Sequence, residues 1–172
     1  ADYVRGFPLH PHRGIETFTY LVKGEIDHKD SLGNSGRILD GCCQWMTAGG
    51  GILHQEMPKA SPRMLGLQLW VNLPAMRKMV HPKYRDITPD DIPVIEENGA
   101  TIRVVTGRYG NIDGATRGEY VDVLFLDADL RPGHTWEMET TPGHTVFSYI
   151  MEGSCVFEPG GTLEPARRAV LF

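Results

Sequence analysis

The chain has 172 residues, 41% of them hydrophobic and 23% charged, and carries a formal net charge of −5. That balance is ordinary for a folded globular protein, and it argues against disorder, a membrane-embedded chain and unaided binding to a nucleic-acid backbone. The length suits one large domain or two small ones.

The chain opens at Ala1, not at a methionine, and runs at once into its richest motif, so further residues are expected upstream. No apolar run approaches the ~18 residues of a transmembrane helix, and no signal peptide opens the sequence. A soluble chain with no membrane contact is expected. Cys42, Cys43 and Cys155 include an adjacent pair that does not suit an ordinary disulfide. They read as reduced thiols, Cys42 and Cys43 as core packing, in a cytoplasmic protein, or a nuclear one in a eukaryote.

In chain order, the β-branched and aromatic run Thr17–Val22 predicts a strand, Lys23-Gly24 a turn, and Glu25–His28 a second strand. Asp30–Gly36 reads as a hairpin loop and Leu39-Asp40-Gly41 as another turn. Leu65–Leu73 alternates as a half-buried strand. From Pro74 to Pro93 the pattern lapses, and Thr88-Pro89-Asp90-Asp91 resembles a helix cap with proline at the first helical position. Strand signals resume over Thr101–Val105 and Tyr120–Leu126, with turns at Pro132-Gly133 and Pro142-Gly143. Short strands between glycine-rich turns predict a sandwich or barrel.

An internal repeat points to two such barrels. Phe18-Thr19-Tyr20-Leu21-Val22-Lys23-Gly24 matches Phe147-Ser148-Tyr149-Ile150-Met151-Glu152-Gly153, identical at Phe, Tyr and Gly. The expected division is a metal-binding barrel over 1–76, a connecting segment over 77–100, and a second barrel without metal, incomplete, over 101–172.

His10 and His12 are two residues apart, so on a strand both imidazoles point to one face. His54 and Glu56 repeat that spacing. The two pairs, expected on facing strands, offer three nitrogens and one oxygen. This donor set suits Fe, Mn, Ni, Cu or Zn and lacks the thiolates of a closed structural zinc site. A lone histidine is more often a surface or satisfied core residue. His28, His81, His134 and His144 have no partner at ligand spacing and are read that way. Glu16 is a rival to Glu56, because parity along the chain puts it on the face of the two histidines. Trp45, Met46 and Phe18 are candidate linings for a ligand cavity.

The chain resembles the pirin family of the cupin superfamily. The resemblance rests on His10-Pro11-His12-Arg13-Gly14-Ile15-Glu16-Thr17, Leu21–Glu25, His28, Asp30–Asn34, Gln44–Gly49, Gly51–Glu56 and Leu69–Pro74, nearly all of residues 6–74. It implies an all-β bicupin fold, two antiparallel β-barrels of double-stranded β-helix type in tandem, trimmed here at both ends. It implies one iron(II) per chain, with other divalent transition metals as substitutes, held by His10, His12, His54 and Glu56. Glu16 is then excluded as a ligand but left as a group that could orient one.

Three functions follow as expectations. The first is an oxidoreductase of the quercetin 2,3-dioxygenase type, in which a flavonol chelates the iron, Glu56 acts as catalytic base and O2 is the co-substrate. The second is a redox-responsive regulator that contacts a transcription factor or metabolic enzyme as its protein partner. The third is a cupin whose metal is structural.

Overall fold

The computed structural model describes residues 2–172. Among the described residues seventeen strands follow one another, with one short 3-10 turn before the first and two more between later strands, an all-β chain as expected. The described residues contain no helix long and apolar enough to cross a membrane. The chain divides into two compact units, Ala1–His134 and Thr135–Phe172.

The first unit begins with two four-stranded sheets. One contains β1 (Phe7–His12), β3 (Ile26–Asp30), β4 (Ser35–Ile38) and β6 (Ile52–Pro58), in the order β1-β6-β3-β4. The other contains β2 (Ile15–Lys23), β5 (Cys43–Thr47), β7 (Leu65–Asn72) and β8 (Lys83–Ile87), in the order β7-β2-β5-β8. All pairings in both sheets are antiparallel. The chain passes from β1 to β2 across Arg13-Gly14, and Gly14 takes a φ of +70°, a conformation that costs a side-chain-bearing residue energy.

β9 (Val94–Glu97), β10 (Ala100–Thr106) and β13 (Phe125–Leu130) form a third sheet, and β11 (Arg108–Tyr109) pairs with β12 (Ile112–Asp113). In the second unit β14 (Phe147–Ile150) pairs with β17 (Arg168–Leu171), and β15 (Ser154–Cys155) with β16 (Glu164–Pro165). The two copies of the repeat are β2 and β14, each running into a turn glycine of positive φ, Gly24 and Gly153.

The boundaries expected at residues 76 and 100 both lie inside the first unit, and segment 77–100 carries β8 and β9. β8 does not alternate visibly because it is an edge strand, exposed along one side, and Lys83-Tyr84-Arg85-Asp86 is polar. The strand expected at Tyr120–Leu126 starts only at Phe125. At Thr88 the cap is present: its hydroxyl and backbone N–H both donate to Asp91, closing a capping box on a single 3-10 turn.

The principal core of the first unit lies on the far side of the β2 sheet from the β1 sheet. Phe18, Tyr20, Cys43, Trp45 and Ile87 pack there with Val105 of β10. Phe18 and Trp45 are essentially inaccessible, their ring centroids 4.0 Å apart, and burying such a side chain contributes roughly 1.5–3 kcal/mol. Cys43 sits in this core, where burial pushes its thiol pKa up to about 12, and none of the three cysteines forms a disulfide. The opposite face of the β2 sheet, turned toward β1 and β6, is mostly polar: Thr17, Thr19 and Gln44 are buried there, and Gln68 bonds into it. This polar space between the sheets holds the candidate site.

Candidate metal centre

β1 and β6 are neighbours in one sheet, not facing strands as the sequence suggested, and His10 pairs directly across the ladder with His54. Directly opposed residues in an antiparallel pair point to the same face, so His10, His12 and His54 converge. One ring nitrogen from each lies within 4.8 Å of the others. The ring centroids are 4.5–4.9 Å apart.

The geometry fits a metal ion on three counts. His10 Nδ1 lies 2.8 Å from the Pro8 carbonyl, which can only accept, so Nδ1 carries the proton and Nε2 is left with its lone pair. His10 Nε2 and His12 Nε2 are 3.1 Å apart, close to the separation of about 3 Å expected for two neighbouring ligands at right angles with ~2.1 Å metal–nitrogen bonds. Both nitrogens of His54, which is 1% exposed, lack any hydrogen-bond partner, a costly state for a buried polar group. An ion would occupy one of them.

Burial first, and then the neighbouring His10, His12 and His28, lower the pKa of His54 to about 4, against an opposing effect of Asp30. His12 is lowered in the same way, by burial first and then by His10. Both rings are therefore held neutral, the form in which imidazole binds a metal.

Glu56 lies on the same strand and face as His54, 4% exposed. It falls outside the three-histidine cluster. Its Oε1 accepts from Thr19 Oγ1 at 3.2 Å and Gln68 Nε2 at 3.0 Å, and its Oε2 accepts from Gln68 Nε2 at 2.8 Å. His28 stands opposite Glu56 on β3, buried, with Nε2 accepting from Gln44 at 2.8 Å and Nδ1 unpartnered. It needs a glycine beside it: a Cβ on Gly36 would approach His28 Nε2 to 2.7 Å. His28 thus joins the interior, although spacing alone gave it no role.

Glu16 does not face the imidazoles. Thr19 points at Glu56, so Glu16, three residues earlier on the same strand, points the other way. It pairs with Thr47, whose hydroxyl donates to it at 2.6 Å, and it is fully buried in the neighbourhood of Trp45 and Arg85. Parity failed because the Gly14 turn moves the chain from one sheet to the other. Phe18 and Trp45 face the principal core, and of the expected cavity linings only Met46 belongs to the cluster that includes Ile52 and Tyr84 on the inner face. The aromatic groups beside the histidines are instead Trp70, 59% exposed with its ring 5.0 Å from His12, and Phe7, 61% exposed with its ring 6.4 Å from His10. Both were missed. In β7, Leu69 and Val71 pack on the principal-core side, which leaves Gln68 and Trp70 on the face toward the histidines.

The Pirin family model matches residues 1–71. Pirin-1 of Arabidopsis thaliana is 45% identical over 148 residues, 86% of this chain and 51% of that protein. A Thermoplasma acidophilum protein provisionally named a quercetin 2,3-dioxygenase is 39% identical over 191 residues, 99% of this chain and 73% of that one. The crystal structure of a quercetin 2,3-dioxygenase from Acinetobacter baumannii superposes with a TM-score of 0.86 at 39% identity, covering 97% of this chain and 60% of that one. The chain thus spans about half to three quarters of the length of these relatives.

Proposed function

The chain belongs to the pirin family, and on that premise we propose that His10, His12, His54 and Glu56 hold one iron(II) and that the protein is an oxidoreductase of the quercetin 2,3-dioxygenase type. The observation that carries this reading is the convergence of three imidazoles, of which His12 and His54 are kept neutral by burial and His54 has both ring nitrogens unpartnered. Bound there, iron(II) would supply a Lewis-acidic centre with open positions for a chelating flavonol or for O2.

The remaining roles fall to the protein. The Pro8 carbonyl fixes the tautomer of His10. Glu56 is the base that would take the flavonol's hydroxyl proton, a contribution of roughly 10²–10⁴-fold. Trp70 and Phe7, exposed beside His12 and His10, offer flat apolar surface to an aromatic substrate. Anaerobic titration of the iron(II) protein with quercetin tests the proposal. The flavonol absorption band should shift, and admitting O2 should bleach it with release of carbon monoxide. An unshifted band sinks the enzyme reading.

A second reading, a redox-responsive regulator, draws support from the outer face of the same strands. Leu9 and Leu53, 57% and 42% exposed, alternate with the histidines on β1 and β6 and offer apolar surface to a protein partner. Partner affinity that changes on oxidising the iron would favour it.

A further inference from the structure

A chain of hydrogen bonds runs from the exposed rim to the buried carboxylate. The Trp70 indole N–H donates to Gln68 Oε1 at 3.0 Å. An indole nitrogen can only donate, so this bond fixes which end of the Gln68 amide is oxygen and turns its NH2 inward. The NH2 then directs one proton to the carboxylate of Glu56, shared between its oxygens at 3.0 and 2.8 Å, and the other to Thr19 Oγ1 at 3.0 Å. With its lone pair so engaged, the Thr19 hydroxyl donates its own proton to Glu56. Every donor in the set is therefore oriented, in sequence, by the ring at the rim. Gln68 and Trp70 sit two residues apart on β7, an edge strand, and Gln68 reaches Glu56 on β6 across the space between the sheets.

We propose that Gln68 is the positioning residue for Glu56 and that Trp70 keys it, so that the indole at the mouth sets how the carboxylate is presented to an ion in the three-histidine cluster. The inference rests on the metal-centre reading and deepens it. A carboxylate pinned through both oxygens by one amide has a single orientation, and a metal ligand so held loses less freedom on binding. If the amide inverted, a carbonyl oxygen would face the carboxylate and repel it. A donor-only partner at the rim prevents that inversion, which a hydroxyl in the same position would not.

The test is a double-mutant cycle read by titration with cobalt(II) alone, following affinity by calorimetry and coordination by the visible d–d bands. Gln68→Met should weaken cobalt binding about tenfold, the lower end of the range for loss of an outer partner, and should alter the bands. The same substitution made in Glu56→Ala protein, which leaves no acceptor for the Gln68 amide, should change affinity less than about twofold, because the interaction it removes is already gone. Trp70→Phe, which keeps a ring beside His12 but lacks the N–H, should show a smaller loss with the same dependence on Glu56. It carries the cycle if Gln68→Met fails to fold. Equal losses in both backgrounds, or no loss in either, overturn the proposal. Failure of the unmutated protein to bind cobalt overturns the metal-centre reading itself.

Discussion

His10 and His54 face each other as a direct cross-strand pair, and this single register relation creates the three-imidazole cluster. A slip of one residue between β1 and β6 would put His54 on the opposite face from His10 and His12 and dismantle it.

Metal content should follow from that register. One transition-metal ion per chain is expected, lost when His54 is replaced by alanine, with affinity falling by more than the roughly 100-fold upper range for loss of an outer partner. His134 and His144 are both exposed, and among the described residues no group of three ligands forms around either. Elemental analysis of wild type and His54→Ala, with anomalous scattering to locate the ion, checks both statements.

Glu56→Gln should keep the fold but weaken iron binding and abolish flavonol oxygenation, since one change removes a charged ligand and the base together. Iron content and oxygen uptake, measured side by side, separate the two losses. Full activity in an iron-loaded Glu56→Gln protein would remove Glu56 from the proton transfer.

Glu16→Gln should leave metal binding intact and change stability in a pH-dependent way. Burial raises the Glu16 pKa, against the opposing effects of the Thr47 hydrogen bond, the neighbouring Trp45 indole and the charges of Arg85 and Lys83. A carboxyl with a raised pKa holds its proton longer folded than unfolded, so its folded state is favoured in acid, and stability falls as pH rises from the unfolded to the folded pKa. The neutral amide escapes that loss. The variant should gain stability relative to wild type between acid and neutral pH, as denaturant midpoints at pH 4 and pH 7 would show.

Phe18→Ala should destabilise by about 3–5 kcal/mol, as for other large core deletions, yet leave metal affinity unchanged, because Phe18 faces the principal core and not the imidazoles. Chemical denaturation and cobalt titration of the same preparation test the pair of outcomes.

The histidines were legible in the sequence because a strand's period of two needs no tertiary information: His10 with His12, and His54 with Glu56, share faces wherever their strands lie. Glu16 was misread where that rule was carried through Gly14, a turn between sheets at which parity starts afresh. Gln68 and Trp70 escaped notice for another reason. The apolar set of β7 packs toward β10 and β13, leaving the polar set to face the space between sheets, an inversion of the usual inside and outside that one strand's pattern cannot reveal. β8 was hidden by its polar edge, and His28 by acquiring its neighbours only through the β3–β6 pairing.

The bonds from Glu56 to Thr19 and Gln68 join a residue of one sheet to residues of the other. The site is therefore also a fastener. Free energy released when an ion is gripped on the β6 side is available to resist the parting of the two layers, by the usual linkage between ligand binding and folding. Amide protons of β2 and β7, on the layer that contributes no imidazole, should consequently exchange more slowly once the ion is bound.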